Sequence, residues 1–143
     1  MPNTEQQWLS AEGTLIYDHK SKTIRVTFGY DFNRYYQWFL DRYYCFFTHL
    51  PAHGGHISVS LPTKHRTINA IDLKLLEDHL GKKVSFQYNP NVRVGGFSKP
   101  YRNFIIDVRS KQLDKIAKIL NIDQNWHITV ANTKGGIRPY IMK

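Results

Sequence analysis

The chain is short of cysteine, of acids and of long apolar runs. Cys45 is its only cysteine in 143 residues. An internal disulfide and a multi-cysteine zinc site are thereby excluded. Eleven Asp and Glu stand against 20 Lys and Arg, a formal net charge of +9. That surplus calls for a polyanionic partner, with nucleic acid or nucleotides first. The longest apolar run, Tyr43 to Phe47, is far short of the ~18–20 residues of a membrane span. The first ten residues, MPNTEQQWLS, hold no apolar run, so no signal peptide is expected. No composition break, low-complexity tract or long Pro/Ser linker divides the chain. What is present is a core: 41% hydrophobic and 14% aromatic residues, too many for a disordered chain. The expectation is one soluble, cytoplasmic domain over residues 1–143, monomeric and without a membrane partner.

Local patterns alternate between strand and helix. Gly13 to Asp18 and Thr23 to Phe28 read as strands around a hairpin connection, Asp18 to Lys22. Ile24, Val26 and Phe28 share a face. Phe32, Tyr36, Phe39, Tyr43 and Phe47 recur at helical spacing, with Asp31 placed to cap them. This stripe reads as a helix laid on a sheet; Tyr35, Trp38 and Tyr44 fall off it and could contact a partner. His56 to Leu61 is a strand. Ile68 to Leu80 is a helix with Ile68, Ile71, Leu75 and Leu76 inward and Gly81 as its terminal glycine. Val84 to Tyr88 is a strand, Asn89 to Asn103 a basic loop and Phe104 to Val108 a strand. Ser110 caps a helix that buries Leu113, Ile116, Ala117 and Leu120 and wets Lys111, Lys115 and Lys118. Trp126 to Ala131 is the last strand, and a basic tail follows.

Two stretches share one plan. Each runs strand, helix, strand, and each second strand opens with His-Ile-Ser/Thr-Val, at 56–59 and at 127–130. Residues two apart on a strand share a face. His56 and Ser58 therefore point together, as do His127 and Thr129. Ile57, Val59, Ile128 and Val130 point the other way. Two such strands side by side would gather two imidazoles and two hydroxyls. One imidazole can serve as base and the other as acid near neutral pH. The hydroxyls can bind phosphate oxygens. That set suits phosphodiester cleavage without a metal or other cofactor.

The paired His56-x-Ser58 and His127-x-Thr129, about seventy residues apart, resemble the signature of the two-histidine (2H, LigT-like) phosphoesterases. The resemblance covers roughly residues 13–134. It implies an α+β, bilobal fold: two pseudo-symmetric β/α lobes whose antiparallel sheets form a central cleft, with helices outside. The lobes would be roughly 13–62, with C-terminal strand contributions, and 63–143. It implies catalysis by His56 and His127, with Ser58 and Thr129 holding the phosphate. The implied substrates are cyclic or short oligonucleotides: cyclic di- and trinucleotide immune signals, 2′-5′ oligoadenylates, 2′,3′-cyclic phosphates. Small stand-alone phage members of this family act against cyclic-nucleotide defence inside the host cytoplasm, and this chain is similar to them in size.

Other residues offer candidate roles beside this pair. Arg93, Phe97 and Tyr101 of the basic loop are candidate grips for phosphate and base; a plain surface connection is the competing reading. Lys134 and Tyr140 could close over a ligand, and Tyr17 is an aromatic near the cleft strands. Trp126 alternates away from His127 and reads as core. His49, His53 and His65 match no standard zinc spacing and read as loop histidines, and Cys45 reads as an inert core thiol. The rival functional class is a non-catalytic RNA-binding domain, or a nucleotide sponge built on the same cleft.

Overall fold

The structure, a computed structural model, describes residues 7–29, 31–44, 55–62, 65–95 and 103–132. In chain order its elements are β1 (Leu9–Asp18), β2 (Thr23–Gly29), α1 (Asp31–Tyr44), β3 (Gly55–Ser60), α2 (Ala70–Leu75), β4 (Lys83–Tyr88), β5 (Arg93–Gly95), β6 (Asn103–Arg109), α3 (Lys111–Leu120) and β7 (His127–Asn132). The fold is α+β. Its strands form one antiparallel sheet in the order β4-β1-β2-β3-β7-β6-β5. β4 also pairs with β6, through Gln87↔Arg109 and Tyr88↔Val108, and so closes six strands into a barrel. β5 hangs on β6 outside the ring. One continuous sheet thus stands where two separate sheets were expected.

The duplication runs deeper than the sequence pattern indicated. β1-β2-α1-β3 and β5-β6-α3-β7 follow the same order. In the sheet they extend in opposite directions from a shared β3–β7 seam, as β3-β2-β1 and β7-β6-β5. The β5 half of this match falls within the expected loop, because Arg93 to Gly95 pairs with β6 (Arg93↔Ile105, Val94↔Phe104, Gly95↔Asn103).

Alternation along the strands separates two faces. Leu15, Ile24, Val26, Ile57, Val59, Ile106, Ile128 and Val130 are buried. Tyr36 and Leu40 of α1, and Leu113, Ile116 and Leu120 of α3, join them in one cluster, so these helices cover the apolar face. Ser110 caps α3 as expected, its hydroxyl accepting from the Leu113 N–H.

The second helix is shorter than its pattern suggested. Asn69 and Asp72 form a reciprocal capping box at its start. Arg66 donates to both carboxylate oxygens of Asp72, at 2.6 and 2.8 Å, and to the Leu120 carbonyl at the end of α3. This network and the burial of Ile68 and Leu76 set the rotation of the helix. Ile71 and Leu75, expected inward, are consequently exposed. Gly81 does not cap the helix. Its φ of 78° turns the chain into β4, and its N–H donates to the Leu15 carbonyl.

Candidate active site on the seam between the repeats

β3 and β7 are hydrogen-bonded neighbours, antiparallel, with Ile57 opposite Ile128. Antiparallel alternation then sets His56 across from Thr129 and Ser58 across from His127. An approximate twofold through the Ile57–Ile128 pair exchanges the two motifs. Ile57 and Ile128 are fully buried, while all four polar side chains are on the opposite, half-exposed face. The two histidines are diagonal neighbours, a relation that places residues about 7–8 Å apart with their Cβ atoms somewhat closer.

Flanking strands complete two rows across this face. Thr27 of β2 stands beside His56, and Ile105 of β6 beside Thr129. Arg25 of β2 stands beside Ser58, and Asp107 of β6 beside His127. The chemistry is therefore not twofold: one imidazole neighbours a hydroxyl, the other a carboxylate. An ion pair closes each end of the second row. Arg25 donates to Asp18 at 3.0 Å and to the Thr23 hydroxyl. Arg93 spans both Asp107 oxygens, through Nε at 3.0 and 3.1 Å and Nη2 at 2.9 Å. Asp18 is held at a pKa of about 2 by the Ser21 N–H, the Arg25 guanidinium and the Lys20 N–H.

The His127 ring has a defined proton. Nδ1 lies 3.0 Å from the Asn125 carbonyl oxygen, and a carbonyl can only accept. Nδ1 therefore carries hydrogen in the neutral ring and Nε2 keeps the lone pair. His65 is spent differently. Its Nδ1 accepts from the Leu61 N–H, and its Nε2–H donates to the Asp123 carbonyl. Both nitrogens tie backbone segments together, which fits the reading of His65 as a loop histidine.

The remaining expected site residues separate. Arg93 reaches the histidine face, but as the partner of Asp107. Tyr17 does not. Its register partner is Ile24, which puts it on the apolar face with Leu15, and its ring meets His19 edge-on. Thr14 and Asp18 mark the other face of this strand, so the alternation of Gly13 to Asp18 already pointed Tyr17 towards the apolar side. Phe97, Tyr101, Lys134 and Tyr140 lie outside the described residues, as do His49, His53 and Cys45. Trp126 is buried, its indole N–H donating to Asp114. Arg25, Thr27 and Asp107 were missed by the sequence reading. Their signal was alternation within β2 and β6, but pairing them with the histidines required the strand order.

Among the described residues, no three His, Cys, Asp or Glu are grouped as a metal site would need. A groove of about 1010 Å³ lies on the β1–β4 side of the barrel, walled by Glu12, Gln87, Arg109 and Gln112, without the histidines. No helix among the described residues is long and apolar enough to cross a membrane. The chain matches no protein-family model, no curated protein and no solved structure.

Proposed function

We propose that this protein is a metal-independent phosphodiesterase that works by paired histidine acid–base catalysis on a cyclic or short oligonucleotide. The supporting observation is the β3–β7 pairing, centred on Ile57 and Ile128, that gathers both His-x-Ser/Thr motifs on one face. Two stretches seventy residues apart had no local reason to meet. The two β-β-α-β halves correspond, in this reading, to the two lobes of the 2H family, fused into one sheet at the seam.

One histidine removes a proton from water or from a ribose hydroxyl. The activated oxygen attacks phosphorus, and the other histidine protonates the departing oxygen. Ser58 and Thr129 donate to the non-bridging oxygens, where charge accumulates. The Asn125 carbonyl presents Nε2 of His127 for this work. A cyclic substrate is opened by water; a linear one with an adjacent 2′-hydroxyl leaves a 2′,3′-cyclic end. The net charge of +9 draws in the polyanion.

The test is turnover, in excess EDTA, of cyclic di- and trinucleotides, 2′-5′ oligoadenylate and 2′,3′-cyclic mononucleotides, with products resolved by chromatography. At least one substrate should react, and His56→Ala and His127→Ala should each lose about 10²–10⁴-fold in rate. Absence of turnover across the panel, with wild type and both variants binding alike, would leave a nucleotide-binding domain instead.

A further inference from the structure

α1 carries an outward face that the histidine site does not use. Arg34, Tyr35, Trp38 and Arg42 recur at spacings of three and four, so they line one flank. Tyr35 and Trp38 are 59% and 55% exposed, and Arg34 and Arg42 are exposed as well. The Tyr35 and Trp38 rings are 6.5 Å apart and inclined by only 33°. The Arg42 guanidinium lies 5.6 Å from the Trp38 ring centre. The intervening acid, Asp41, is half-buried. Tyr35 also lines a cavity of about 520 Å³, together with Tyr36, Phe39, Tyr88 and Asn91. The Tyr36 hydroxyl donates to the Pro90 carbonyl and fixes that wall.

Two large aromatics exposed side by side form an apolar patch rimmed by charge, the kind of surface that marks an interaction site. Arginines interleaved with exposed, mutually tilted rings answer two features of one ligand. Phosphates pair with the arginines, and bases stack on the rings. We propose that this flank of α1, with the cavity beside Tyr35, binds single-stranded nucleic acid. Bases stack on Trp38 and Tyr35, one base enters the cavity, and Arg34 and Arg42 hold the adjoining phosphates. The charge of +9 favours this occupant over a basic or neutral protein surface. The helix covers the apolar face of the sheet, so this surface is separate from the histidine face and binds whether or not the histidines are catalytic.

The experiment is fluorescence anisotropy of labelled 2′-O-methyl U15, which lacks the hydroxyl the proposed cleavage needs, dT15 and a 15-base-pair duplex, at several salt concentrations, with the full chain. Both single strands should bind more tightly than the duplex. A preference between them assigns the sugar that the surface favours. Trp38→Ala and Tyr35→Ala should each weaken single-strand binding about tenfold or more. Arg42→Ala should reduce the slope of log affinity against log salt by about one. His56→Ala should bind the single strands as wild type does, and Trp38→Ala should hydrolyse mononucleotide substrates at the wild-type rate. Loss of stacking and loss of catalysis would thus appear in different variants. Equal binding of duplex and single strand, or wild-type affinity in both aromatic variants, would overturn the stacking surface. So would a change in sedimentation of Trp38→Ala without a change in affinity, which would assign the flank to self-association.

Discussion

At the scale of single residues, the two histidines share a motif but not an environment. His127 neighbours Asp107 across β6 and β7, whereas His56 neighbours Thr27. Arg93 clamps both oxygens of Asp107 and so fixes the carboxylate on the strand next to His127. In the proposed reaction the two residues act as one positioning unit. Arg93→Gln and Asp107→Asn should each lower the rate several-fold, and the double variant should lose little more than either single one. Rates of the three variants with one reactive substrate decide it, and losses that simply multiply would mean that the two residues act separately. None of this was visible in the chain read alone. His-x-Ser and His-x-Thr are legible because each lies within three residues. The Asp107 relation depends on which strand becomes the neighbour of β7.

At the scale of elements, local rules were sufficient where a segment answers mainly to its own sequence. α3 follows its Ser110 cap and its apolar spacing. β2 buries Ile24 and Val26 as its alternation indicates. They failed where a distant segment decides. Arg66 binds Asp72 and the end of α3 together, and that anchorage rotates α2 away from its most apolar side. The Gly-containing stretch after Asn89 resembles a loop, yet the edge of β6 recruits part of it as β5. The β1–β2 hairpin has its own chemistry. Asp18 accepts from the N–H groups of Lys20 and Ser21 and from Arg25, which also stands beside Ser58. Its pKa, near 3.9 when unfolded, falls to about 2 in the fold. A depressed folded pKa stabilises above the unfolded value, and the contribution is lost as pH falls towards the folded one. Wild type should therefore lose stability between about pH 4 and 2 on this account. Asp18→Asn should be less stable at pH 7 and should show a shallower loss in that window. Denaturation midpoints measured from pH 7 to 2 provide the check, and parallel curves for the two proteins would assign the hairpin's acid sensitivity elsewhere.

At the scale of the whole molecule, the duplicated halves do not have separate interiors. The buried side chains of both repeats belong to one cluster, and the sheet passes through the seam and closes again at β4–β6. A protein of two lobes around a cleft could unfold one lobe at a time. A single cluster predicts one cooperative transition. Ile57 and Ile128 test this most directly, because they face one another at the seam and neither is exposed. Ile57→Ala and Ile128→Ala should each cost about 2–5 kcal/mol by loss of burial and creation of a cavity. The double variant should cost less than the sum of the two, since each residue forms part of the other's packing. In wild type and in every variant, tryptophan fluorescence and far-ultraviolet dichroism should report the same midpoint in urea. Two resolved transitions, one moved by Ile57→Ala and the other by Ile128→Ala, would show that the repeats fold as independent lobes. The seam would then be a docking contact and not the centre of a shared core. The histidine geometry would in that case depend on how the lobes close, and the proposed catalysis would respond to substitutions at the seam more strongly than stability does.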